Sequence, residues 1–454
     1  MTSPSPRRAA FDILLRVEKE KSYADILLDQ ALTGDALKGA DRRLLTELVY
    51  GVLRRQATLD HVVSQFSSIK PAKLERAVLI LLRLGLYQTL FLDRMPVSAA
   101  VNETVNLAKS LAPRASGFIN AVLRRADRER ESISYPSPEK DPVRFLSTRY
   151  SHPEWLAGEW LAQLGMPEAE HLASAMGEAP PLTVRTNTLL VSRNELLASF
   201  AGAGVAAVAT PFAPDGVTVL DSLPPRQLPG FSEGWFAVQD ESSQLAAFLL
   251  EPARGEKLLD LCAAPGGKAT YLAQLMGNKG SVLACDKGAR RLPLITESAA
   301  RLGITIIETK LLDAAREGNS LERDSFDRVL VDAPCSGLGV LRRHPEGKWL
   351  KRKEDLPQLA AAQLAILRTG ASCVKPGGTL LYATCSTSRE ENEAVIENFL
   401  SQVGGFVVDN LHVFFPDLKD LLTEEGYFRS WPHRNQMDGF FAARLRRAGK
   451  SHQS

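Results

Sequence analysis

Two short stretches hold the side chains best suited to covalent chemistry. Cys335 lies in Asp332-Ala333-Pro334-Cys335-Ser336-Gly337 and Cys385 in Thr384-Cys385-Ser386, each just after an apolar run. A cysteine thiolate is intrinsically nucleophilic and a competent leaving group, so it can add to an electrophilic carbon and later depart. Its reference pKa of about 8.5 calls for a positive or hydrogen-bonding environment to ionise it. The other three cysteines, Cys262, Cys285 and Cys373, are expected to pack as small hydrophobes, the common fate of a free thiol. No histidine or further cysteine stands at zinc-ligand spacing near Cys335 or Cys385, so no metal is expected there.

A third stretch is the turn Cys262-Ala263-Ala264-Pro265-Gly266-Gly267-Lys268. Glycine lets backbone approach a ligand closely, and a following helix offers free N–H groups. The phosphate-cradling P-loop is excluded, because Cys262 and Ala269 stand where that motif needs Gly and Ser/Thr. The GxGxxG dinucleotide spacing is absent as well. Asp286 follows Gly267 by 19 positions, an arrangement that suits a ribose whose hydroxyls donate to a carboxylate.

Strands must position these residues. Runs at 257–262, 281–285, 328–332 and 379–384 read as strands separated by helical patterns, which implies βαβ units and a mostly parallel sheet over 233–448. Ligands bind such sheets at the carboxyl ends of their strands, and every motif above falls at that rim. A polar stretch with prolines, Tyr135 to Pro142, reads as a linker into residues 141–232. Those residues then mix helix with short strand-like runs such as Leu182-Thr183-Val184-Arg185, a small α/β subdomain. Residues 1–140 read as a helical bundle. Apolar residues recur at three- and four-residue spacing in Ala10, Ile13, Leu14, Val17 and in Leu44, Leu45, Leu48, Val52.

Charge is uneven on a chain whose net charge is only +2: residues 1–130 hold 21 Lys/Arg against 14 Asp/Glu. A basic front end points to a polyanionic partner, and the pairs Arg42-Arg43, Arg54-Arg55 and Arg124-Arg125 are candidates for phosphate contact. Five cysteines in 454 residues cannot form a disulfide framework, and Met1-Thr2-Ser3-Pro4-Ser5-Pro6-Arg7-Arg8 lacks the form of a secretory signal. The longest apolar stretch, 74–92, carries Glu75, Arg76 and Arg83, against a bilayer span. A cytoplasmic protein with no membrane partner is expected.

The long ordered motifs carry a resemblance. Leu259-Asp260-Leu261-Cys262-Ala263-Ala264-Pro265-Gly266-Gly267-Lys268, Asp332 to Gly337 and Ala383-Thr384-Cys385-Ser386 resemble motifs of the Nop2/Sun family of RNA cytosine-5 methyltransferases. Arg342-Arg343-His344-Pro345, Lys348-Trp349 and Glu390-Glu391-Asn392-Glu393 resemble segments that follow the family's Pro-Cys and Thr-Cys motifs. The front end, with Val101-Asn102-Glu103 and Gly117-Phe118-Ile119-Asn120, is similar to the NusB-type helical domain of the bacterial branch acting on 16S ribosomal RNA. The implied architecture is an all-α NusB-like bundle, a small α/β subdomain and a Rossmann-like α/β methyltransferase domain.

The resemblance also implies roles. Cys262, Ala263, Ala264, Pro265, Gly266, Gly267 and Lys268 would hold the methionine and ribose side of S-adenosyl-L-methionine, and Asp286 its ribose hydroxyls. Asp313 would sit by the adenine amine, and Asp332 between cofactor and base. Cys385 would be the nucleophile, Cys335 the second cysteine that helps release product, and Lys268 and Asp332 further members of the active site. Lys268 and the sulfonium are the local positive charges expected to favour the thiolate. Ser298 departs from the Asn common in related sequences, with little functional weight. The partner would be 16S ribosomal RNA, free or in an assembling small subunit, and a monomer suffices.

Two alternatives remain at this level. A DNA cytosine-5 methyltransferase also carries a Pro-Cys motif but attacks with that cysteine and needs none in a Thr-Cys-Ser turn. A NusB-like antitermination factor with an idle second half is opposed by the intact Gly266-Gly267-Lys268, Asp286, Asp332, Cys335 and Cys385.

Overall fold

The computed structural model describes residues 5–449 apart from 34–36, 94, 222 and 317–319; the first four residues of the amino-terminal octet lie outside the described residues. The chain divides into two compact units, Met1–Ala179 with Leu341–Lys353, and Pro180–Val340 with Glu354–Ser454.

The first unit is helical. Helix Pro6–Glu20 buries Ala10, Phe11, Ile13, Leu14 and Val17, and helix Ala40–Arg54 buries Leu45, Leu48, Val49 and Val52, as the three- and four-residue spacing requires. Helix Arg76–Phe91 is buried on most sides. Its one buried cation, Arg83, forks onto both oxygens of Asp60 at 2.7 Å and also pairs with Glu18, so the charge is compensated where it is desolvated. The segment Leu341–Lys353 belongs to this unit: Lys348 is buried there and donates to the Arg54 carbonyl at 2.9 Å, while the Glu346 carboxylate accepts from the Ala24 N–H at 3.1 Å. The three arginine pairs differ: Arg42 is half-buried and donates to the Leu32 carbonyl, while its neighbour Arg43 is exposed. Arg124 and Arg125 are exposed. Arg54 stacks on Tyr50 and Arg55 on Phe91, both half-buried and held by packing rather than presented to a polyanion.

Among the described residues, the second unit contains two sheets built from twelve strands: β1 (Leu182–Thr186), β2 (Ala207–Ala209), β3 (Gly216–Val219), β4 (Phe236–Val238), β5 (Lys257–Asp260), β6 (Ser281–Asp286), β7 (Ile307–Leu311), β8 (Phe326–Asp332), β9 (Val374–Thr384), β10 (Phe406–Val408), β11 (Phe428–Ser430) and β12 (Phe440–Arg447). The small sheet runs β2-β3-β1-β4, antiparallel, beside helix Arg193–Gly202, which starts in a capping box of Ser192 and Glu195. The large sheet runs β10-β12-β9-β8-β5-β6-β7, with β11 on β12. Its β9-β8-β5-β6-β7 portion is parallel, while β12, β10 and β11 are antiparallel.

Both faces of this sheet are buried, which explains the nearly continuous apolar strands. Leu258, Leu330, Leu381 and Ala383 enter one core with Phe440 and Ala442; Leu259, Val329, Val331, Leu380 and Tyr382 enter the other with Phe441, Ala443 and Leu445. Cys285 and Cys373 are packed in the second core, as expected, and Cys262 is half-buried at its edge.

Two glycines, Gly339 and Gly439, cross where the Pro-Cys loop meets the Thr-Cys turn. Gly339 N donates to the Cys385 carbonyl at 2.8 Å, and Gly439 N donates to the Gly339 carbonyl at 2.9 Å. A Cβ on Gly339 would lie 1.9 Å from the Gly439 oxygen, and backbone there cannot swing aside. Gly339→Ala is expected to cost about 1–3 kcal/mol, the scale of overpacking a filled site, read as a lowered thermal midpoint. An unchanged midpoint would contradict this close approach.

Candidate active site

Sheet register explains why two cysteines fifty positions apart meet. Strands β8 and β9 are parallel neighbours with Asp332 opposite Ala383, and Ala333 N donates to the Ala383 carbonyl at 2.9 Å just past the last rung. The chain then leaves both strands at the same rim. Cys335 comes three residues after Asp332 and Cys385 two after Ala383, and the two Sγ atoms lie 3.3 Å apart. Both thiols are half-buried. The hydrogen bond to Cys385, followed by burial, pushes the Cys335 thiol well above its ordinary value.

Lys268 and Asp332 face each other across the rim, Nζ to Oδ2 at 2.8 Å, with the ammonium 4.8 Å from the centre of the Phe440 ring. The Lys268 charge, expected to favour a thiolate, is here paired with Asp332. The Cys385 sulfur shares a hydrogen bond with the Cys335 sulfur at 3.3 Å.

The glycine turn lies between the ends of β5 and β6. Gly266 sits in the left-handed region at φ 107°, and a Cβ there would meet the Ile295 backbone at 3.0 Å, so glycine is required. Asp286 is buried at the end of β6. Its Oδ1 accepts from Gly288 N at 2.8 Å, its Oδ2 accepts from Ala264 N at 3.3 Å, and Arg291 stands 3.5 Å away, also donating to the Ala264 carbonyl. Asp313, half-buried after β7, pairs with Arg316 at 3.2 Å. Ala263 and Ala264 are buried and Pro265 is exposed.

Two acidic and basic residues at this turn escaped the sequence reading of roles. Asp260 is fully buried at the foot of the turn; its Oδ1 accepts from Cys262 N at 3.3 Å and its Oδ2 has no partner. Burial first, and the charge of Asp332 second, push its carboxyl up to about 7. Arg185, fully buried on β1, donates to the Gly267 carbonyl at 2.7 Å and to Thr270 Oγ1 at 3.2 Å and lies over the Tyr271 ring. It ties the small sheet to the first turn of helix Gly267–Leu275. The available signal was a lone arginine inside an apolar strand.

A buried acid with an unpartnered oxygen beneath a glycine turn fits a cationic ligand. By fold and rim, the second unit has the form of the S-adenosylmethionine-dependent methyltransferase class.

Comparison with known proteins narrows this. The family model "16S rRNA methyltransferase RsmB/F" matches residues 247–446, the NusB family model residues 4–128, and the RsmF/B-like ferredoxin-like domain model residues 152–224. The chain is 40% identical to the "Probable ribosomal RNA small subunit methyltransferase B" of Bacillus subtilis (strain 168), over 99% of this chain and 100% of that one. It is 38% identical to the "Ribosomal RNA small subunit methyltransferase B" of Pseudomonas putida, over 97% and 98%. Among solved structures, that of PH0851 matches with TM-score 0.80 at 28% identity, covering 97% of this chain and 98% of that one. A methyltransferase homologue from Pyrococcus horikoshii matches with TM-score 0.59 at 29% identity, over 68% and 99%. The chain belongs to the RsmB/F family of 16S rRNA methyltransferases.

The raised carboxyl of Asp260 predicts a pH dependence for cofactor binding. Its carboxyl is protonated below about 7, so a cation binds less tightly as pH falls through that value. Affinity for S-adenosylmethionine, measured calorimetrically, is expected to fall severalfold from pH 8 to pH 6. S-adenosylhomocysteine, lacking the sulfonium charge, should show a shallower fall, and Asp260→Asn should flatten the difference. Identical slopes for the two ligands in the unaltered protein would refute the assignment.

Proposed function

We propose that the protein transfers the methyl group of S-adenosylmethionine to carbon 5 of a cytosine in 16S ribosomal RNA, in the cytoplasm, through a covalent bond between Cys385 and carbon 6. The observation that carries this reading is the 3.3 Å approach of two half-buried thiols at the carboxyl rim of the sheet.

The chemistry follows from the base. Carbon 5 of cytosine is too weak a nucleophile to take a methyl group while the ring is aromatic. Addition of the Cys385 thiolate to carbon 6 breaks the aromaticity and makes carbon 5 enamine-like. Bound S-adenosylmethionine supplies an electrophilic methyl group. Asp332 spends Oδ2 on Lys268, and its other oxygen can accept from the exocyclic amine, a contact that favours cytosine over uracil. Lys268 holds that carboxylate in place. After transfer, carbon 5 gives up its proton to water, the ring double bond reforms, and the electron pair of the carbon–sulfur bond returns to Cys385. The Cys335 thiol, which keeps its proton, then stabilises the returning thiolate by hydrogen bonding.

The target base must be unstacked to reach such a rim, flipped out or already single-stranded. The exposed Arg124 and Arg125 of the basic helical unit suit the RNA backbone. Free rRNA or an assembling small subunit is the proposed partner, with the protein acting as a monomer.

Cys385→Ala is expected to abolish methylation of 16S ribosomal RNA, mapped by bisulfite sequencing. Cys335→Ala should instead accumulate a covalent protein–RNA adduct that survives denaturing electrophoresis. Full methylation by the Cys385 variant would reject the covalent mechanism.

A further inference from the structure

The Pro-Cys and Thr-Cys turns are joined by a residue to which the reaction above assigns no part. Glu391 is fully buried, and its carboxylate accepts four hydrogen bonds from neutral donors on three segments. Oε1 accepts from Ser336 N at 2.8 Å and from Gln363 Nε2 at 2.9 Å. Oε2 accepts from Ser386 Oγ at 2.5 Å and from Ser336 Oγ. Ser336 directly follows Cys335, and Ser386 directly follows Cys385. The two serine hydroxyls also lie 3.1 Å from each other.

Neighbouring groups hold Glu391 from behind. Tyr382 OH donates to the Glu391 carbonyl at 2.5 Å and to Gln363 Oε1 at 3.2 Å, and Gln363 Nε2 also donates to the Pro334 carbonyl at 3.1 Å. Asn392 fixes the other turn, accepting from Thr384 Oγ1 at 2.5 Å and donating to the Ser386 carbonyl at 2.9 Å. Burying a carboxylate among neutral partners is expensive, and apolar packing would hold two loops together at less cost. What the carboxylate adds is reach and direction, because one planar group grips the residue after each cysteine.

We infer that Glu391 is a positioning residue that sets the distance between Cys335 and Cys385, and so governs both attack by Cys385 and its release. This rests on the cytosine chemistry proposed above for its consequence in rate, but not for its consequence in geometry.

The arrangement of donors makes the role separable from charge. N–H groups fall on Oε1 and hydroxyls on Oε2. A glutamine oxygen can replace Oε1, and its NH2 can donate to hydroxyls that turn to accept. Glu391→Gln therefore keeps the reach and loses the charge, whereas Glu391→Asp keeps the charge and loses the reach. The experiment measures methylation of 16S ribosomal RNA, with kcat and KM separated, and cross-linking of the two thiols by diamide. That reagent takes two electrons and two protons from the thiols and leaves a Cys335–Cys385 disulfide, found by peptide mass.

Glu391→Gln should methylate within a few-fold of the unaltered protein and cross-link at its rate. Glu391→Asp should lose about 100-fold in kcat, the scale of a misplacement near 1 Å, with KM for S-adenosylmethionine unchanged and cross-linking severalfold slower. A dead glutamine variant beside an active aspartate variant would overturn the positioning role in favour of a charge. So would unchanged cross-linking in the aspartate variant. Retained activity in Cys385→Ala would remove the chemical reading alone, since cross-linking rates still report how Glu391 sets the sulfurs.

Discussion

Two sulfur atoms 3.3 Å apart cannot both ionise freely, because the second charge would form against the first. One proton is held between them, and the hydrogen bond to Cys385 together with burial raises the Cys335 thiol. In the proposed reaction one of these two chemically identical residues is the attacking group and the other a hydrogen-bond donor. That division depends on distance alone, so the surrounding structure has to keep the sulfurs close without closing the pocket over them.

The sheet provides the coarse placement and the turns the fine one. Parallel neighbours β8 and β9 end in register at Asp332 and Ala383, which brings both departing loops to one edge. Cores on both faces keep those strands from shifting, since a slip by one residue would exchange the sets buried on each side. Past the strand ends, backbone bonds between Gly339, Gly439 and Cys385 and the carboxylate of Glu391 take over. Antiparallel β12, beside β9, carries Phe440, whose ring faces Lys268, so the carboxyl-terminal strand also shapes the rim.

Local order was legible in the sequence and long-range closure was not. The Pro-Cys turn, the Thr-Cys turn and the glycine turn each follow a strand within a few residues, so their place at one rim could be read from strand and turn signals. The helical front end was legible from three- and four-residue spacing. Antiparallel β12 was not anticipated, because a strand buried on both faces shows the same apolar run in either direction. Arg54 and Arg55 looked like surface charge because the aromatic rings they stack on lie elsewhere in the chain or on the same turn. Glu391 was quoted within a motif, yet its bond to Ser336 spans 55 positions and leaves no local trace. Arg185 likewise reads as an odd residue in a strand until Gly267, 82 positions later, is beside it.

Charge at the cofactor turn closes in the same way. Three of the acids at this rim have a basic partner: Asp332 has Lys268, Asp286 has Arg291 and Asp313 has Arg316. Asp260 is the exception, buried with one oxygen unpartnered and its carboxyl pushed up to about 7. A buried acid that costs free energy in the empty site, and whose ionised form a positive ligand favours, couples binding to the charge of that ligand. S-adenosylmethionine bears one net positive charge and its demethylated product none. The expected consequence is that the turn favours the methyl donor over the product by electrostatics.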